Sequence, residues 1–195
     1  MKAFYKDRRF WFISITSIIA LCLYFFWDSS FLVRSIATVA FLFIFYAGDR
    51  VYKINFTNKH YFYFILLVVA GILAAPLYFI WPQYDKIQHL VMPIFMSTMT
   101  FYMIDKLPLK NKWKIWYTFF IVVALLGIFE LVEYSIDTFF DFKLQGVFLR
   151  DVGGIEKLQT IQGPHEDTMI DLIFGVIGAT VYLLYKGTHT VFRRQ

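Results

Sequence analysis

The stretch WKIWYTFFIVVALLGIFELVEYSIDTF, residues Trp113 to Phe139, decides the fold of this chain. Between its first residue and Glu130, only Lys114 is charged. A helix of about 20 apolar residues crosses the ~30 Å hydrocarbon core of a bilayer. The stretch therefore predicts a transmembrane helix that carries acidic residues toward one of its ends.

Similar apolar runs occupy most of the remaining chain, with 59% hydrophobic and 22% aromatic residues overall. A soluble domain of this size does not need so much apolar surface. The other five predicted spans are Phe10 to Trp27, Phe31 to Gly48, Tyr61 to Trp81, Ile87 to Ile104 and Asp167 to Tyr185. We therefore expect residues 1–195 to form a single all-α domain, a polytopic membrane protein with a bundle of six transmembrane helices. Residues 141–166 are expected to form an outer loop or cap.

The basic residues indicate how the helices are oriented. With alternating spans, nearly all Lys and Arg residues fall on the side of the N-terminus, and the exceptions are Arg34, Lys86, Lys143, Arg150 and Lys157. By the positive-inside rule, both termini are then cytoplasmic, and the expected location is a bacterial inner membrane. Because the basic residues lie at the ends of spans, the net charge of +5 reflects topology, and nucleic acid is not expected as a partner.

Three carboxylates form a stripe on the predicted fifth span. Glu130, Glu133 and Asp137 lie within about 60° of one another at ~100° per helical residue. Ionisable groups inside a membrane are costly, so each is a candidate functional residue. Together they require raised pKa values or a bound cation. A plainer interpretation of Asp137 is a solvated residue at the water interface.

The start of the fourth span carries Asp85 and His89, four residues apart and hence on one helix face. Pro93 follows after another turn and cannot donate a hydrogen bond to the His89 carbonyl. A free carbonyl beside an imidazole suits a ligand, a water or a cation. The alternative is that Asp85 and Lys86 only cap the helix at the interface and that His89 is a packing residue.

The sixth span begins with Asp167 and Asp171, again four residues apart. Gly175 and Gly178 follow on the same face, and small residues let a neighbouring helix approach closely. The acidic face is therefore expected to point into the bundle. Asp167 alone could also be a helix N-terminal acid favoured by the helix dipole.

These three segments all fall on the outer side, which predicts one outward-opening intramembrane site. We expect His89, Glu130 and Asp171 to be metal ligands, with Asp85, Glu133 and Asp167 as further ligands or as catalytic groups that transfer protons. Mixed histidine and carboxylate ligands favour Zn²⁺, Mn²⁺ or Fe²⁺, while Mg²⁺ and Ca²⁺ stay open.

The expected activity is that of a divalent-cation-dependent enzyme acting on a lipid or a lipid-linked envelope substrate, with membrane lipids as partners and no nucleotide as cofactor. Two alternatives remain: a proton or cation transporter, and a non-catalytic membrane module whose buried polar network is structural or binds a partner. Arg34 is either a residue that reaches the interface or an internal counter-ion, and His165 is an additional candidate ligand.

Three strings in the last 110 or so residues resemble a known family. They are Tyr84-Asp85-Lys86-x-x-His89, Phe129-Glu130-Leu131-Val132-Glu133, and Gln162-Gly163-x-x-x-Asp167-Thr168-x-x-Asp171 with Gly178-Ala179. They resemble the YjdF-type family of uncharacterised bacterial inner-membrane proteins and, more loosely, VanZ-like membrane proteins. The second resemblance implies a role at the cell envelope, where VanZ-like proteins are associated with glycopeptide-antibiotic resistance. The run Pro164-His165-Glu166 departs from the YjdF-type pattern.

Overall fold

The described part of the chain folds into α-helices and one short hairpin. The computed structural model describes residues 7–26, 32–140, 144–150 and 158–192. The last residue of the first predicted span, Trp27, and the first residue of the second, Phe31, lie outside the described residues. Part of the expected cap, residues 141–143 and 151–157, also lies outside them. The helices are α1 (Arg8–Phe26), α2 (Leu32–Val51), α3 (Asn58–Val68), α4 (Gln83–Ile104), α5 (Asn111–Phe140) and α6 (Pro164–Phe192). Stretches of five of these helices are long and apolar enough to cross a membrane, and α3 is the shorter exception among the described residues. This result confirms the predicted class, an all-α membrane protein.

The third predicted span differs from the single helix expected over Tyr61 to Trp81. The α-helix ends at Val68, continues as a π-helical segment, Val69–Leu73, and is followed by a 3₁₀ turn, Ala75–Phe79. Pro76 has no backbone N–H to donate and disfavours helical backbone in the residue before it. The apolar helix is therefore shorter than predicted, and residues after Leu73 belong to a separate turn.

The chain divides into two compact units between Ala75 and Pro76. In the first, the buried carboxylate of Asp49 joins the ends of three helices. Its Oδ2 accepts hydrogen bonds from Arg9 Nη1 at 3.0 Å and from the Tyr61 hydroxyl at 2.8 Å, and its Oδ1 accepts one from Phe56 N–H at 3.0 Å. The sequence does not distinguish Asp49 as a structural residue, because Asp49 lies next to the end of an apolar run among other charged residues.

The second unit contains α4, α5 and α6, which pack against one another. Gly178 of α6 lies against the Leu90 carbonyl of α4, and a methyl group at Gly178 would collide with that oxygen. Gly175 lies in the same way against the Leu126 side chain of α5. The fully buried Pro93 does not end α4, which continues through it as one helix. The two glycines thus allow α6 to approach both neighbouring helices closely, as expected for small residues.

A two-stranded antiparallel hairpin precedes α6. Strand β1 (Val147–Arg150) pairs with β2 (Leu158–Gln162), with an irregularity after Val147. Gly146 enters β1 with φ +94°, a backbone conformation that favours glycine. Val147 and Phe148 are buried. The segment expected to be a loop or cap thus holds ordered structure and the first turn of α6.

Candidate functional site

The ammonium group of Lys86 lies at the centre of the polar residues in the second unit. Its Nζ is 2.7 Å from Oδ1 of Asp167, 3.2 Å from Oδ2 of Asp85 and 3.2 Å from Oδ1 of Asp171. Asp167 and Asp171 are both buried. The first turn of α4 and the first two turns of α6 thus meet around one lysine.

His89 lies one turn further along α4 and faces both α5 and α6. Its Nε2 is 3.7 Å from Oδ1 of Asp85 and 3.9 Å from Oδ2 of Asp171. Its Nδ1 is 4.0 Å from Oε1 of Glu130 on α5. Two ligands that each bind a cation at ~2.0–2.2 Å lie about 3–4 Å apart. The ligand atoms of Asp85, His89 and Asp171 all lie within 4.8 Å of one another, an arrangement that could hold a metal ion.

Asp85 and Asp171 each turn their two oxygens in different directions. Oδ2 of Asp85 and Oδ1 of Asp171 contact Lys86, whereas Oδ1 of Asp85 and Oδ2 of Asp171 face His89. A cation beside Nε2 of His89 would therefore use carboxylate oxygens that Lys86 does not contact.

Asp167 has partners on both of its oxygens. Oδ1 contacts Lys86, and Oδ2 accepts a hydrogen bond from Gly146 N–H at 2.8 Å. Asp167 thus joins α6 to α4 and to the residue that leads into the hairpin. A simple helix N-terminal acid would not need either contact.

The acidic stripe of α5 divides among three environments. Glu130 is 6% exposed and hydrogen-bonds with the Thr168 hydroxyl of α6. Glu133 is half-buried. Asp137 accepts hydrogen bonds from Leu144 N–H at 2.8 Å and from Gln145 N–H at 2.7 Å. Asp137 is therefore not merely solvated, since it holds the chain that leads from α5 to the hairpin.

Gln145 gives the hairpin a second connection to the cluster. Its Nε2 donates to Oγ1 of Thr168 at 2.9 Å, and Thr168 is the hydrogen-bonding partner of Glu130. Glu130 in turn lies beside Nδ1 of His89. The residues at the base of the hairpin are thus linked to both the lysine and the histidine.

Tyr78 adds a neutral group at the edge of the site. Burial raises the pKa of its phenol, and the nearby carboxylates of Asp167 and Asp85 raise it further. Tyr78 lies in the turn after the break in the third predicted span. Because its pKa is raised, the Tyr78 phenol remains protonated at physiological pH.

The structure brings together the six residues predicted for the site, with Glu133 interacting electrostatically with the other acids. It adds Lys86 to them. The sequence alone favours an interface role for Lys86, although Lys86 follows Asp85 directly on the side that holds most of the acids. Basic residues are scarce among the acidic residues on that side, and this scarcity was the signal that could have pointed to Lys86 as a counter-ion. His165 and Glu166 are exposed in the first turn of α6.

These features define a helical membrane protein with a partly buried Asp–Lys–His cluster near the start of two apolar helices. Residues 9–190 match the family described as "Predicted membrane protein (DUF2238)", and the chain belongs to this family. No curated protein and no solved structure matches the chain. The resemblances to the YjdF-type family and to VanZ-like proteins stay predictions.

Proposed function

We propose that the second unit is a divalent-cation-dependent enzyme acting on a lipid or a lipid-linked substrate of the cell envelope. The observation that carries the proposal is the group formed by Asp85, His89 and Asp171. A histidine nitrogen and carboxylate oxygens from two helices, α4 and α6, lie within 4.8 Å of one another. Such mixed ligands favour Zn²⁺, Mn²⁺ or Fe²⁺ over Mg²⁺.

The charges of the cluster support a bound cation. Its one lysine, Lys86, contacts three of the five acidic residues, and three of the five, Glu130, Asp167 and Asp171, are buried. The five acidic residues are Asp85, Glu130, Glu133, Asp167 and Asp171. Carboxylates at close range in a low-dielectric environment need protons or a counter-charge. A divalent cation beside His89 would supply that charge where Lys86 does not reach.

The geometry refines the predicted ligand set. Glu130 faces Nδ1 of His89, whereas Asp85 and Asp171 face Nε2. A histidine that binds a metal through one nitrogen usually donates its other N–H to a carboxylate or carbonyl, which fixes the ring orientation. We therefore assign Asp85, His89 and Asp171 as ligands and Glu130 as the residue that orients His89.

The chemistry follows from these roles. A bound cation lowers the pKa of a water ligand and polarises a phosphoryl or carbonyl oxygen. Glu133, half-buried one turn from Glu130, is the residue we assign to accept a proton from that water. Asp167 is less suited to this role than predicted, because Lys86 and Gly146 already engage its oxygens.

The substrate class rests on the orientation predicted by the basic residues. Under the positive-inside rule the site opens toward the outer leaflet of a bacterial inner membrane. ATP is not available there, whereas lipids and lipid-linked precursors can reach an opening between helices. We therefore expect a phosphoester or acyl bond of such a lipid to be the bond that is cleaved or transferred.

A second candidate function is a non-catalytic membrane module with a structural polar network. The ion pairs of Lys86 with three carboxylates favour it, because they satisfy part of the acidic charge without a metal. A fully connected buried network can fix the packing of helices by itself.

Elemental analysis of the purified protein distinguishes the two functions. The enzyme proposal expects about one equivalent of a divalent metal in the wild type and loss of that metal in Asp171→Asn. Glu166→Gln is the matched control, because it removes an exposed acid in the same first turns of α6 and should keep the metal. A folded wild type without metal after incubation with Zn²⁺, Mn²⁺, Fe²⁺ and Mg²⁺ would support the structural network and reject the enzyme.

A further inference from the structure

The arrangement of Asp85 and Asp171 points to a role for Lys86 that rests on the proposed function. We infer that Lys86 is a fixed second cation of the site, and that Asp85 and Asp171 bridge its ammonium group and the divalent cation. The site would then have the layout of a two-cation centre in which the protein itself supplies one of the two charges.

The first support is the way the oxygens are divided. Each bridging carboxylate gives one oxygen to Lys86 at 3.2 Å and turns the other toward Nε2 of His89, at 3.7 Å for Asp85 and 3.9 Å for Asp171. A carboxylate that used both oxygens on Lys86 would leave nothing for a metal beside His89. The observed arrangement keeps the two cation positions adjacent and separate.

The second support is the set of atoms around Nζ of Lys86. Three carboxylate oxygens from α4 and α6 surround it, and the shortest distance, 2.7 Å, is to Asp167. Oxygen-rich surroundings of this kind also suit a hard divalent cation. Without the ammonium group, the carboxylates of Asp85, Asp167 and Asp171 would face one another with no positive charge between them. A second divalent cation could then take the place of the ammonium group.

Asp167 distinguishes this inference from a site in which every acid binds one metal. It contacts Lys86 and Gly146, and it is not among the residues whose ligand atoms converge with His89. It therefore belongs to the lysine position alone. The variant Asp167→Asn should keep the metal beside His89, whereas Asp85→Asn and Asp171→Asn should lose it.

The test is the metal content of Lys86 variants after incubation with Mn²⁺ and removal of excess ion. The wild type and Lys86→Arg should hold about one equivalent, and Lys86→Met should hold about two. Two Mn²⁺ ions bridged by carboxylates should also show magnetic exchange coupling in electron paramagnetic resonance spectra, which the wild type should lack. Lys114→Met is the matched control, because Lys114 is a buried lysine paired with a single acid, Asp105, and its metal content should stay at the wild-type value.

Each outcome decides the inference separately from the proposed function. A wild type without metal rejects the proposed function, and the inference with it. A wild type with one Mn²⁺ and a folded Lys86→Met that also holds one would overturn the inference alone. If Lys86→Met does not fold, the Asp167→Asn variant decides, because loss of the metal in a folded Asp167→Asn protein contradicts the separate lysine position.

Discussion

Nζ of Lys86 lies 2.7 Å from Oδ1 of Asp167, and this ion pair joins the start of α4 to the start of α6. The same carboxylate accepts the N–H of Gly146. One charged pair thus connects two transmembrane helices and the residue that leads into the hairpin.

Lys86→Met should destabilise the protein strongly in the absence of added metal. Removal of one partner from a fully buried ion pair costs about 3–5 kcal/mol, because the remaining charge is left without compensation. Lys86 is only half-buried, so we expect the low end of that range or less. The measurement is thermal unfolding of the detergent-solubilised protein in EDTA. Lys112→Met removes an exposed lysine and should leave the unfolding temperature unchanged. Equal unfolding temperatures for the two variants would show that the ion pairs do not hold α4 to α6.

Glu130→Gln should weaken metal binding without abolishing it. A residue that orients a metal-binding histidine typically contributes about 10–100-fold to affinity, whereas loss of a direct ligand such as Asp171 removes the metal. Metal titration of Glu130→Gln and Asp171→Asn measures the difference. An equal and complete loss in both variants would make Glu130 a direct ligand, as the sequence alone predicted.

Gly178→Ala should destabilise the second unit more than Gly175→Ala. The added methyl group at Gly178 meets the rigid Leu90 carbonyl, whereas at Gly175 it meets the side chain of Leu126, which can rotate. Gly127→Ala is the control on α5, because nothing lies within 4 Å of its added methyl group. Thermal unfolding should rank the stabilities Gly127→Ala, then Gly175→Ala, then Gly178→Ala. A Gly178→Ala protein as stable as Gly127→Ala would mean that α4 and α6 are further apart than described.

Asp137→Ala should loosen the chain that leads into the hairpin. The substitution removes the acceptor for Leu144 N–H and Gln145 N–H, and their amide hydrogens should then exchange faster with solvent. Hydrogen–deuterium exchange followed by mass spectrometry over residues 144–150 gives the readout. Thr138→Ala, which removes only an exposed hydroxyl bonded within α5, should leave the exchange unchanged. Unchanged exchange in Asp137→Ala as well would show that Asp137 does not fix this segment.

Most of the helices could be predicted from sequence because the bilayer imposes a simple requirement. Apolar runs must be long enough to cross it and must satisfy their own backbone hydrogen bonds. The third span was predicted as one helix because its apolar run continues past Pro76. Its hydrogen-bonding pattern changes at Val69–Leu73, and hydropathy carries no information on that change.

The candidate site could be predicted only in part. The four-residue spacing placed Asp85 with His89, and Asp167 with Asp171, on common helix faces. The free-energy cost of an ionisable group inside a membrane marked Glu130 as unusual. Lys86 was missed because a lysine at the end of a span ordinarily reaches toward the interface. The hairpin was missed because β1 and β2 are short and lie in a segment whose glycines indicate turns.

The sequence by itself determined the class of protein and the residues available to a site, since hydrophobicity and charge act locally along each helix. The tertiary structure alone decided which oxygen of each carboxylate faces Lys86 and which faces His89. That choice depends on how closely α6 approaches α4 at Gly178, and the distance between two helices is a property of their packing rather than of either sequence segment.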